Sequence, residues 1–159
     1  MSKTKAFIGG VGVVGVLGIG FYFMTQGPQA QATVDQSDPV VIAEGQVVYQ
    51  SYCASCHGKG LEGQPKWQEK KADGTLPAPP HNKDGHTWHH ADNMLFNYVK
   101  SGAASLGIEG FKSGMPAFKP MLKDKQIWAA LAYIKSTWPE KHRARQAMAT
   151  QQAQSQSQN

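Results

Sequence analysis

The chain has no third cysteine. Its two, Cys53 and Cys56, lie in the stretch Tyr52-Cys53-Ala54-Ser55-Cys56-His57-Gly58. A structural zinc site or an iron–sulfur cluster needs more thiolates, or cysteines and histidines at tetrahedral spacing, so neither fits. No strand pattern flanks the pair either. A helical pattern precedes it and a Gly-rich loop follows, which removes the βαβ setting of a thioredoxin-type dithiol. Acidic residues are scarce, 11 against 16 Lys and Arg, for a net charge of +5. The basic residues are scattered and not interleaved with aromatics, so nucleic-acid binding gets no support. Aliphatic core material is thin as well, too little to hold three short helices and two long loops together unaided.

What is present points one way. C-x-x-C-H suits covalent haem attachment: two thiols add across the two vinyl groups, and the adjacent imidazole is thereby placed against the iron. A buried haem would also fill the centre that the side chains leave sparse.

The N-terminus carries Lys3 and Lys5, then nineteen uncharged residues from 6 to 24, six of them glycine. As a helix this run spans about 28 Å, enough for a hydrocarbon core. The lysines ahead of it predict the N-terminus inside and the rest translocated. Two readings stand: a single-pass anchor, or a leader cleaved after the small-x-small site Ala30-Gln31-Ala32. Both export the domain, to a compartment where haem attachment and oxidation of stray thiols occur. Without Lys3 and Lys5 the net charge is +3, which serves solubility or docking to an acidic partner.

The organisation expected is a leader or anchor at 1–25, a polar tether at 26–38, a domain at 39–139, and a basic short helix with a disordered Gln/Ser tail at 140–159. Asp38-Pro39 starts the first helix, with Val40, Val41, Val47, Val48 and Tyr52 as its apolar residues. From 58 to 90 there are five glycines and four prolines without sustained period. A loop that long needs a reason, and wrapping a large planar cofactor supplies one. A second helix covers about 91–101. The third, about 123–138, carries Ile127, Leu131, Ile134 and Trp138 on one face.

A haem held by His57 needs a second ligand. Met115, in Ser113-Gly114-Met115-Pro116, is favoured, because a loop can aim a thioether with no packing role, and thioethers ligate haem iron. Met94 reads as core, while Met121 and the histidines remain open. His81, His86, His89 and His90 crowd ten residues. They suggest either a second copper or zinc site, or Trp88 and one or two histidines, His89 among them, bonding the haem propionates.

Together, Gly45 and Tyr49 before Cys-Ala-Ser-Cys-His, Ser-Gly-Met-Pro-Ala-Phe 58 residues beyond His57, and Leu-Ala-Tyr-Ile-Lys-Ser in a C-terminal helix resemble the class I c-type cytochromes. The resemblance covers about 39–138. It implies an all-α fold of three to four helices whose first and last cross, with Gly45 and Tyr49 meeting Tyr133. It further implies one covalent haem c on Cys53 and Cys56, axial ligands His57 and Met115, and a carbonyl of Pro79 or Pro80 fixing the His57 ring. The loop 77–92 is similar to one in small, often membrane-attached monohaem cytochromes of bacteria.

The function expected is single-electron transfer, not enzymatic catalysis, on the outer face of a bacterial inner membrane. A quinol-oxidising complex or dehydrogenase would donate, and an oxidase or reductase would accept. Lys59, Lys112 and Lys119 are candidates to ring the exposed haem edge and steer an acidic partner. The rivals are copper handling by the loop 81–90 and a haem sensor with a labile Met115.

Overall fold

The computed structural model describes residues 34–157. The hydrophobic run at 6–24 and most of the expected tether lie outside the described residues. Among the described residues no helix is long and apolar enough to cross a membrane.

The described chain is all-helical, with α1 (Pro39–Tyr52), α2 (Ala54–His57), α3 (Asp92–Ser101), α4 (Asp124–Ser136) and α5 (Glu140–Gln156). Two 3₁₀ turns, Thr87–His89 and Gly102–Leu106, flank α3. Asp38 caps α1 by accepting the Val40 N–H at 2.8 Å, with Pro39 at the first helical position.

Helices α1 and α4 form the most extensive helix contact. Gly45 permits it: a Cβ there would lie 2.5 Å from the Ala129 carbonyl carbon and 3.0 Å from the Tyr133 Cβ. One turn on, the Tyr49 ring packs 5.4 Å from that of Tyr133, and its hydroxyl donates to the Gly58 carbonyl at 2.9 Å. Gly45 and Tyr49 thus meet Tyr133 as expected. The crossing also sets the cysteine turn, because α1 runs directly into α2 and the Cys53 N–H donates to the Tyr49 carbonyl.

Two apolar clusters flank this crossing. Val48, Phe118, Leu122, Ile127, Ala130 and Leu131 form one, with Leu95, Phe96, Val99, Met115 and Trp128 packed against it. Tyr49, Ala54, Leu61, Ile134 and Trp138 form the other. Ile127, Leu131, Ile134 and Trp138 are all buried, although α4 itself stops at Ser136. Lys123 caps it without a side-chain acceptor; instead the Gln126 side chain accepts the Lys123 N–H at 2.9 Å.

Val40 and Val47 point to solvent, because the buried stripe of α1 runs through Gly45, Val48 and Tyr49. Two expectations are corrected. Met94 is exposed, and Leu95, Phe96 and Val99 do the packing of α3. The tail from Thr150 is helical through Gln156. Ala and Gln are good helix formers, and α5 is tied down. Gln146 is buried and donates to Asp92 at 2.6 Å, while Thr150 accepts the Asp92 N–H at 3.0 Å. Lys135 of α4 closes the knot, bonding both Asp92 carboxylate oxygens at 2.8 and 3.0 Å.

Candidate functional site

The single turn of α2 places Cys53 and Cys56 three residues apart, neighbours on one helix face. Both are free; Cys53 is half-buried and Cys56 exposed. Burial, and secondarily Cys56, pushes the Cys53 thiol up to about 11. A redox-active dithiol needs the opposite, a thiol lowered towards neutrality.

His57, at the end of the same turn, is 6% exposed. Its Nδ1 lies 2.9 Å from the Pro79 carbonyl. A carbonyl only accepts, so Nδ1 carries the proton and Nε2 keeps the lone pair that a metal requires. Burial lowers the His57 pKa, with the Pro79 bond opposing, which keeps the ring neutral. Of the two prolines expected to fix this ring, Pro79 is the one in contact.

The loop that brings Pro79 here is bonded to itself. The Gly63 N–H donates to the His57 carbonyl at 2.8 Å, and Gln64 N–H to Ala78 at 2.8 Å. Gly63 adopts φ +71°, and a Cβ there would lie 2.6 Å from the Pro79 carbonyl carbon.

The histidines of the loop are engaged in ring contacts. His81 stacks on His57 with centroids 4.0 Å apart, a contact that spacing along the chain did not reveal. His86 lies parallel to Trp67 at 5.2 Å and edge-on to His90 at 5.3 Å. His89 is exposed and stacks on Trp88 at 3.8 Å. Among the described residues, no group of three or more His, Cys, Asp or Glu is arranged to hold a metal ion. Trp88 Nε1 is buried without a hydrogen-bond partner.

Met115 is half-buried against the first apolar cluster. Its N–H donates to Ser113 Oγ at 3.1 Å, and Ser113 Oγ is 2.7 Å from the Tyr98 hydroxyl, which ties the loop to α3. Met121 is 50% exposed while its neighbour Leu122 is buried. Lys59, Lys112 and Lys119 are all exposed; Lys112 reaches the Asp73 carbonyl at 3.5 Å.

These donors fit a haem: paired free thiols on one turn, a neutral imidazole with its proton directed away, and an indole N–H awaiting an acceptor. Comparison with known proteins agrees. Residues 40–134 match the family described as cytochrome c oxidase, cbb3-type, subunit III. The chain is 34% identical over 108 residues to cytochrome c-555 of Prosthecochloris aestuarii, covering 65% of this chain and 92% of that protein. It is 34% identical over 94 residues to cytochrome c-555 of Chlorobaculum thiosulfatiphilum, covering 58% and 91%. No solved structure matches. A chain whose described residues are all-helical, with this attachment turn and matched by family and relatives over most of that length, belongs to the class I c-type cytochromes, electron carriers built around a covalently bound haem.

Proposed function

We propose that the protein is a monohaem, single-electron carrier with His57 and Met115 as axial ligands, working on the outer face of a bacterial inner membrane. Cys53 and Cys56 would hold the haem by two thioethers. Bound haem supplies a one-electron iron couple. The chain's own residues do the rest. His57 presents Nε2, Pro79 holds its proton, and the loop around Ser113 aims Met115. The Trp88 indole, buried without a partner, would donate to a propionate. Were His57 and Met115 both to ligate the iron, the site would suit electron transfer rather than oxygen or peroxide chemistry.

Residues 39–139 form the haem domain, 26–38 the tether, and the segment at 6–24 anchors or exports it. A quinol-oxidising complex or dehydrogenase donates, and an oxidase or reductase accepts. Exposed Lys59, Lys112 and Lys119 supply positive charge for an acidic partner.

The observation that carries this reading is the His57 Nδ1 contact with Pro79, a second-sphere bond typical of metal-binding imidazoles. The test has two arms. Haem should stay with the denatured chain in acidified organic solvent, whereas Cys53→Ala and Cys56→Ala should each leave a single thioether in the pyridine haemochrome spectrum. The oxidised protein should show the near-infrared band of iron–thioether bonding, lost in Met115→Leu and kept in Met121→Leu. Extractable haem, or the reverse methionine pattern, refutes the assignment.

A further inference from the structure

His57 is restrained twice. The Pro79 carbonyl sets which nitrogen carries the proton and where the ring's axis points. That bond holds the ring by one in-plane contact at Nδ1 and places nothing against the ring's face. The second restraint is the His81 ring, stacked on His57 at 4.0 Å with 24° between planes.

His81 is itself held from several directions. Its Nδ1 is 2.7 Å from Thr87 Oγ1, and Thr87 is buried in the 3₁₀ turn before α3. Its N–H donates to the Leu61 carbonyl at 2.9 Å. Its own carbonyl accepts from Trp138 Nε1 at 2.7 Å, at the buried end of the α4 region. Tyr49 approaches edge-on at 6.4 Å. Backbone staples to Leu61 and Trp138 would hold the loop whatever side chain stood at 81. The ring's bond to Thr87 adds a link to the 3₁₀ turn, and it also fixes the orientation of the plane facing His57.

We propose that His81 is a positioning residue for the axial imidazole: pinned by Thr87, its ring sets the rotational orientation of His57. This deepens the proposed function and rests on His57 being the iron ligand. The consequence is electronic. The plane of an axial imidazole selects which iron orbitals hold the unpaired electron of the oxidised state, so ring rotation redistributes spin around the haem edge.

The test is paramagnetic proton NMR of the oxidised holoprotein with isotope-labelled histidine. Wild-type protein should show strongly shifted ring resonances assigned to His57. Their absence overturns the ligand reading, and this proposal with it. Given those resonances, His81→Leu should reorder the haem-methyl shifts. Thr87→Val should move them the same way by less, and Thr87→Ser, which keeps the hydroxyl, should restore the wild-type pattern. A wild-type haem-methyl pattern in His81→Leu, even with lowered thermal stability, would show that His81 only staples the loop. Should His81→Leu yield no holoprotein, Thr87→Val decides: an unmoved pattern refutes the proposal and a moved one supports it.

Discussion

Between His57 and α3 the chain is bonded to itself at short intervals, whereas between α3 and α4 it is gripped mainly near its ends. In the first loop, bonds join Gly63 to His57, Gln64 to Ala78, and both His81 and Asn82 to the Leu61 carbonyl. Leu61 accepts a left-handed φ of +64° to make this possible, a strain of about 1–2 kcal/mol. In the second loop, Phe118 and Lys119 bond back to Val99 and Lys100 at 3.0 Å, and Ser113 links to Tyr98. Ile108 and Phe111 between these points are exposed. The proposed ligation by His57 and Met115 would account for the contrast. An imidazole offers one directional lone pair in a rigid ring and must be delivered in the right orientation. A thioether on a flexible, unbranched side chain can find the iron from a looser loop.

The largest effect should come from Gly63→Ala. Alanine would have to adopt φ +71°, and its Cβ would collide with the backbone of Pro79 and Pro80. Overpacking against backbone that cannot yield, added to the unfavourable φ, should cost roughly 3 kcal/mol and displace the carbonyl that holds His57. Chemical denaturation measures the first. A loss of correctly ligated protein, read from the low-spin spectrum, measures the second. Unchanged stability would mean the first loop is no more rigid than the second.

Next is Asp92→Asn, which separates the loops through their supports. Asp92 joins Lys135 and Gln146 with only 19% of its side chain exposed, and α5 rests on the turn before α3. Losing the charge-assisted bonds should cost about 2 kcal/mol and make 140–157 more sensitive to limited proteolysis. The near-infrared thioether band should persist, because α5 braces the side of His81 and not that of Met115. A faded band with an intact α5 would reverse the comparison.

Legibility in the sequence divides along the same line. The attachment turn could be read because C-x-x-C-H is local and its chemistry exclusive. Gly45 and Tyr49 could be read with it, through the resemblance. That a proline carbonyl would meet His57 followed from the resemblance, but only the fold of 58–86 chose Pro79 over Pro80. The stacking of His81 had no sequence signal, since it depends on Leu61 and Trp138 together returning the loop beneath His57. The helical tail was hidden for a different reason. Its Gln/Ser composition reads as low complexity, and its anchor, Asp92, is 54 residues from Gln146.

A smaller effect is expected from pH. The protein's six histidines all lie between 57 and 142, none in the methionine loop. Burial, then neighbouring histidines, lowers the pKa of both His86 and His90. The unfolded chain, with histidine near 6.5, therefore binds more protons than the folded one as pH falls through that value. Stability should be full above about pH 7 and decline as pH drops through 6.5 towards the depressed folded values. Thermal melts of the holoprotein at pH 7.5 and 5 should differ in that direction. His86→Phe keeps a ring beside Trp67 and should flatten the slope. The thioether band should not change in this window; fading before the melt shifts would place the acid-sensitive element in the methionine loop.

The smallest expected effect is the most direct counterpart to the first. Gly114→Ala puts the same methyl group beside Met115 that Gly63→Ala puts beside the Pro79 carbonyl. At Gly114 a Cβ meets nothing within 4 Å, and no left-handed φ is required. The added methyl should therefore leave the chain's own contacts alone and reduce the freedom of the unfolded chain, a gain of about 0.4–1 kcal/mol at most. The same denaturation experiment should show unchanged or slightly raised stability, with the thioether band intact. Two identical chemical changes, one in each loop, then differ by several kcal/mol in opposite directions. A Gly114→Ala protein destabilised like Gly63→Ala would mean that the methionine loop closes tightly over the haem edge. In that case, carbon monoxide binding to the reduced Gly114→Ala protein should rise above wild type, because a crowded loop would push Met115 off the iron.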